Sequence, residues 1–192
     1  MATETSQSYL EVVHGSMFGG KTEHLIACLR RAQSEGLRVA AFKHAIDNRY
    51  DPTHLVTHTQ DHFDAIRVPD AESIFAHCEN NNVDFVAIDE GQFFKLPLIP
   101  VVEALLDRGV SVVVAGISND AWGRPFDPMP QLVALADRVQ VRQSPCRVCG
   151  KPAPYTQRMS QVDTLHMVGG LDDYEPRCEE HFEPLAGPPE PR

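Results

Sequence analysis

The sequence predicts an α/β fold: a mostly parallel β-sheet with helices on both faces, followed by a small metal-tied lobe. Three observations predict it. Short apolar runs alternate with stretches of helical spacing through most of the chain, which is the pattern of strand–helix–strand units. The first of these strands ends in a glycine-rich loop that reads G-x-x-x-x-G-K-T from Gly15 to Thr22. From Ser144 onward the composition turns to Cys, Pro, Gly and charge.

Taken in order, "YLEVVHG" (9–15) is a short apolar strand that ends at the loop's first glycine. "KTEHLIACLRRAQSEG" (21–36) places Leu25, Ile26, Cys28, Leu29 and Ala32 at helical spacing, with Gly36 as its C-cap. "LRVAAFKHA" (37–45) is a buried strand. Residues 44–65 are polar, hold four of the nine histidines and lack strong periodicity, so they are expected to form a long surface loop. A helix over 70–80, the strand "VDFVAID", the helix "LPLIPVVEALLDRG" and the buried strand "VSVVVAGIS" follow. The expected division is an α/β domain over 1–143, a metal-binding lobe over 144–184 and a disordered tail over 185–192, where "EPLAGPPEPR" has little to pack.

The totals narrow the function. A chain of 192 residues holds one full core and a small appendage. Its formal charge of −10 provides no diffuse positive field, which argues against a nucleic-acid backbone as the main partner. It leaves room for a phosphorylated small molecule in a local basic pocket. No apolar run approaches the ~18 residues of a membrane span, and "MATETSQSYL" has no signal-peptide pattern. A cytoplasmic setting is expected, where the five cysteines are buried or bind metal.

The loop from Gly15 to Thr22 has the composition that turns successive backbone N–H groups toward an anion, and the following helix adds its positive end. In this pattern Lys21 reaches the β- and γ-phosphates of a nucleotide and the Thr22 hydroxyl ligates Mg²⁺. "FVAIDEGQFF" places Asp89 and Glu90 at the C-terminal end of an apolar strand, the sheet edge where ligands bind. Asp89 there suits a partner in holding Mg²⁺, and Glu90 is a candidate general base. A solvated acidic turn is the competing reading of this pair.

"CRVC" (146–149) and "CEEH" (178–181) make a C-x₂-C…C-x₂-H set with the spacer of a zinc ribbon. Three thiolates and one imidazole close a tetrahedral shell, so Cys146, Cys149, Cys178 and His181 are expected to hold a structural Zn²⁺. His44, His54, His58 and His62 are expected to be solvated or substrate-facing side chains rather than a second metal site.

These residues together resemble the type II thymidine kinases, the tetrameric, zinc-containing class, over about residues 9–182. The resemblance is carried by "GSMFGGKT", "DNRY" (47–50), "DEGQFF" (89–94), "RPF" (124–126), "CRVC", "YTQR" (155–158), "VGGLDDY" (168–174) and "PRCEEH". It implies a P-loop NTPase-like core and a zinc-anchored lasso loop around the nucleoside base. It also implies that Gly15, Ser16, Met17, Phe18, Gly19, Gly20, Lys21, Thr22 and Asp89 hold ATP and Mg²⁺. Glu90 would act on a nucleoside 5′-hydroxyl, with Arg49 beside the transferred phosphoryl group. Met17, Phe93, Ile117, Phe126, Thr156, Leu165, Met167, Val168, Gly169, Gly170 and Tyr174 would line the base pocket. The implied partners are ATP and a deoxynucleoside, in a homotetramer.

This chain departs from the family pattern in the phosphate loop, in the loop before Phe126, and in the histidine-rich segment, which reads "VTHTQD" (56–61) rather than the usual S-H-x-G. Ser16 replaces a proline and Gly19 a usual serine. In "GISNDAWGRPF" Ser118 stands where an aspartate is expected, and Ala121 where an aromatic ring is expected beside the base. The neighbouring Trp122 is a candidate replacement for that ring.

Overall fold

Along β1 (Leu10–Gly15) successive side chains point to opposite faces, and each face has its own cover. Leu10 and Val12 join one buried cluster, and Val13 joins another. A computed structural model of the chain describes residues 8–47, 53–57, 61–159, 169–170 and 172–185.

The strands β2 (Val39–His44), β3 (His54–Val56), β4 (His62–Asp64), β5 (Ile66–Val68), β6 (Phe85–Asp89), β7 (Ser111–Ile117) and β8 (Arg138–Arg142) follow β1. Six of these strands form one sheet in the order β5-β2-β6-β7-β1-β8, with every pair parallel. Parallel neighbours need crossovers, which α1 (Lys21–Ser34), α2 (Ala71–Asn81), α3 (Leu98–Asp107) and α4 (Met129–Leu135) supply. The helix α1 covers one face through Leu25, Ile26 and Leu29, each contributing roughly 1.5–3 kcal/mol by burial. The other three cover the opposite face, where Ile74, Leu98, Val102, Leu105 and Leu132 meet Phe42, Val86, Ile88, Val112 and Val114.

The helix ends follow local chemistry. The Asp70 side chain accepts from the Ser73 N–H at 2.9 Å and caps α2. Gly36, at φ 83°, ends α1 while Leu37 donates back to the Ala32 carbonyl.

One expectation needed correction. The region 44–65 is not wholly loop, because β3 and β4 pair antiparallel with Leu55 opposite Phe63. Leu55 is buried in the α1-side core. With three residues in each strand there is too little alternation to see in sequence. The stretch "MPQLVALADRVQVR" divides into α4 and the edge strand β8. Beyond it, β9 (Ser144–Pro145), β10 (Pro152–Ala153), β11 (Tyr155–Arg158) and β12 (Tyr174–Arg177) form two small antiparallel sheets. Leu185, the first residue of the expected tail, donates to the Ala121 carbonyl at 3.3 Å, while residues 186–192 lie outside the described part.

Candidate active site

Parallel strands bring the C-terminal ends of β1, β2, β6 and β7 to one edge. The phosphate loop leaves β1 there. Gly15 has φ 148°, and a Cβ on it would lie 1.8 Å from the Arg142 carbonyl oxygen. At Gly19 the constraint is space, since a Cβ would sit 2.6 Å from that same oxygen. Phe18 and Gly20 turn the chain through positive φ before α1 begins. Lys21 is 8% exposed and folds back over the loop, donating to the Ser16 carbonyl at 2.6 Å.

The acidic pair closes the other side. Thr22 Oγ1 donates to Asp89 Oδ2 at 3.1 Å, joining α1 to the end of β6. Glu90 takes a left-handed backbone (φ 51°, ψ 49°), uncommon for a non-glycine residue, and its N–H donates to Asp89 Oδ1. This conformation opens the 3₁₀ turn Gly91–Phe94. Lys43, Asp47 and Thr57 line the same cleft as Met17, Lys21, Thr22, Asp89 and Glu90. Glu90 is therefore a buried carboxylate lining the cleft, not part of a solvated turn.

Sequence reasoning missed Lys43. It is a buried cation inside the apolar run "AAFKHA", 3.9 Å from Asp47 and in register with Asp89. A lysine in a strand buried on both faces was the available signal.

The C-terminal lobe is bonded to the phosphate loop that lines this cleft. The Met17 N–H donates to Thr156 Oγ1 on β11 at 2.9 Å. The Ser144 N–H donates to Ser16 Oγ, and the Ser144 hydroxyl donates to the Met17 carbonyl, both at 3.3 Å. The hydroxyl that replaces a proline at position 16 thus has a partner.

Of the residues expected at the base, Met17, Thr156 and Tyr174 are buried, while Phe93, Ile117 and Phe126 are half-buried. The Gly170 N–H donates to Asp173 Oδ2 at 3.2 Å. Arg49, His58, Leu165, Met167 and Val168 lie outside the described residues.

The second region of departures also has internal explanations. Ser118 Oγ lies 2.8 Å from His14 Nδ1, so the serine is matched to a histidine on β1. Burial, and then the charge of Lys21, hold the His14 imidazole below its ordinary range. Ala121 is buried, and a Cβ on Gly123 would meet the Phe182 ring at 2.8 Å. That ring stacks on Tyr155 with centroids 4.4 Å apart. Trp122 is half-buried near the guanidinium groups of Arg124 and Arg158, at 5.7 and 5.9 Å. Arg158 also lies 5.8 Å from the Tyr174 ring, which brings Trp122 to the side of an expected pocket residue.

Cys146, Cys149, Cys178 and His181 converge with their ligand atoms all within 4.8 Å of one another. Separations of 3.6 Å (Cys149 to Cys178), 3.1 Å (Cys178 to His181) and 3.9 Å (Cys146 to His181) lie within about 0.5 Å of the edges of a tetrahedron around one zinc. Bonds of roughly 2.0–2.3 Å would give edges near 3.5–3.8 Å. Burial alone would raise the Cys146 thiol. The backbone N–H groups of Cys178, Cys149 and Val148 outweigh it and hold the thiol at about 6, which favours the thiolate a metal needs.

A second convergence among the described residues, Glu11, His24 and Cys28, is internally satisfied instead. Arg142 donates to His24 Nδ1, leaving Nε2–H to donate to Glu11 Oε1 at 2.7 Å, and Gln140 also donates to that oxygen. His54 and His62 pack edge to face across the hairpin, and His54 Nε2 lies 3.2 Å from an Asp64 carboxylate oxygen. Among the described residues no helix is long and apolar enough to cross a membrane.

The family model described as "Thymidine kinase" matches residues 8–182. A "Thymidine kinase" of Bdellovibrio bacteriovorus is 43% identical over 184 residues, covering 96% of this chain and 90% of that protein. A "Thymidine kinase" of Rhodothermus sp. is 42% identical over 179 residues, covering 93% and 83%. Among solved structures, the genome packaging NTPase B204 from Sulfolobus turreted icosahedral virus 2 aligns with a TM-score of 0.48 at 14% identity. That alignment covers 71% of this chain and 74% of the other.

Proposed function

The chain belongs to the thymidine kinase family, and from that premise we propose that it transfers the γ-phosphoryl group of ATP to the 5′-hydroxyl of thymidine or deoxyuridine. The observation that carries this reading is the buried Glu90 carboxylate in one cleft with Lys21 and the phosphate loop. A phosphate site alone would serve any nucleotide-binding protein. A carboxylate beside it is what proton removal from a hydroxyl requires.

In the proposed reaction the loop N–H groups and Lys21 hold the triphosphate. Glu90 takes the proton of the 5′-hydroxyl. That oxygen bonds to the γ-phosphorus as the bond to the β-γ bridging oxygen breaks, releasing ADP. Positioning and electrostatics supply most of the rate. Thr22 and Asp89 would hold a Mg²⁺, which supplies charge neutralisation at the β- and γ-phosphates. Lys43 adds positive charge to the same cleft, and Arg49 is assigned to the transferred group on family resemblance alone. Zinc at the four-residue cluster would fix the lobe that carries Thr156 and Tyr174. Met17, Phe93, Ile117, Phe126, Thr156 and Tyr174, with Leu165, Met167, Val168, Gly169 and Gly170, are assigned to the nucleoside. The domain division at 143/144 and the homotetramer belong to the same proposal.

One observation favours a second acceptor class. The loop 118–126 carries Ala121 in place of a ring and a Ser118–His14 pair in place of an aspartate. Incubation with Mg²⁺–ATP and each of thymidine, deoxyuridine, deoxycytidine, deoxyguanosine and deoxyadenosine separates the two. The expected result is turnover of thymidine and deoxyuridine well above the rest. Preference for another nucleoside would reassign the pocket, and ATP binding without turnover of any would replace the enzyme by a nucleotide sensor.

A further inference from the structure

Gln92 is fully buried two residues beyond Glu90, and both ends of its amide are in use. Its Nε2 donates to Glu90 Oε2 at 2.5 Å. Its Oε1 accepts from the backbone N–H of Ile117 at 3.1 Å. The amide therefore bridges the carboxylate at the end of β6 and the last residue of β7. A Cβ on Gly116 would lie 2.9 Å from Gln92 Oε1, so the backbone of β7 leaves just the room this amide occupies.

We propose that Gln92 is a positioning residue that fixes the Glu90 carboxylate relative to the nucleoside side of the cleft. The proposal rests on the reading of Glu90 as the base. The left-handed backbone at Glu90 aims its side chain into the cleft, but a glutamate keeps rotatable χ angles there. A short hydrogen bond to one carboxylate oxygen restrains the orientation of the whole group. Because the acceptor end of the same amide is held by Ile117, the carboxylate is referenced to the strand end leading into the loop 118–126. Lys21, Lys43, Asp47 and Asp89 share the cleft and set its field, whereas Gln92 sets geometry. Misplacing a reacting group by about 1 Å can cost on the order of 100-fold in rate.

The test is a double-mutant cycle with Mg²⁺–ATP and thymidine. Glutamine 92 to methionine (Q92M) preserves volume and removes both hydrogen bonds; Q92L is the second variant. Q92M is expected to lower kcat by about 10- to 100-fold with the KM for ATP changed less than about threefold. In an E90A background, Q92M should lower the residual rate no further, because its effect acts through Glu90. An equal fall in both backgrounds, or wild-type kcat in Q92M alongside a disabled E90A, overturns the Gln92 role while leaving Glu90 as base. Full activity in E90A removes the base reading and this proposal with it, yet leaves nucleoside phosphorylation standing. Failure of both Q92M and Q92L to give a cooperative thermal transition assigns Gln92 to core stability and also overturns the proposal.

Discussion

The backbone N–H of Met17 donates to the Thr156 hydroxyl at 2.9 Å, a bond between groups 139 residues apart. It joins the middle of the phosphate loop to β11 of the lobe, and both residues are buried. Thr156→Val keeps the shape and removes the acceptor, leaving a buried N–H unsatisfied at a cost of about 1–3 kcal/mol. Urea denaturation should show that loss, and the KM for ATP should rise several-fold because the orphaned group belongs to the loop. Unchanged stability and KM would mean the lobe does not brace the loop.

Gly19 presents a conflict between family pattern and local structure. Serine is usual at this position, yet a Cβ here would meet the Arg142 carbonyl at 2.6 Å. Gly19→Ser should therefore destabilise this protein by about 1–3 kcal/mol, the scale of forced backbone shifts. A denaturation midpoint equal to wild type would show that the β8–β9 connection yields freely.

The thiols should separate by environment. Cys78 is buried and pushed up to about 12 by desolvation, and Cys28 is buried as well. Neither should react with a thiol reagent in the folded protein. Cys149 is exposed, so a bound zinc would be what protects it. Chelation should release one zinc per chain and make Cys149 the first thiol to label, and Cys146→Ser should lose the metal. Rapid labelling of Cys149 before chelation would argue against a bound metal.

Acid should weaken the fold through two histidines. His14 and His44 both lie below the ordinary 6.5, in each case first because of burial. Below pH 6.5 the unfolded chain binds protons that the folded chain resists, so stability falls as pH falls. His14→Gln should flatten the dependence of Tm on pH below 6.5. An unchanged slope would place the proton uptake at other groups.

Much of this was legible in the residues. Strands rich in valine, a glycine-bounded loop and paired Cys/His spacings each encode their structure within a short window. The amide bridge of Gln92 and the Ser16–Ser144 bond were not legible, since neither partner signals the other along the chain. The hairpin that buries Leu55 was hidden by strands too short for alternation to show. Lys43 was visible only as an anomaly, and its place opposite Asp89 came from strand register.

The sequence by itself determined the parallel α/β sheet, the phosphate loop, the acidic pair and the four candidate zinc ligands. Each depends on local backbone chemistry or on spacing that survives in one dimension. Only the tertiary structure decided which groups face the cleft together and how the lobe grips the loop. It also decided why Ser16 and Ser118 are tolerated here. The Ser16–Ser144, Met17–Thr156 and Ser118–His14 bonds join residues more than a hundred positions apart, and the first two are buried, which makes them costly to leave unmade.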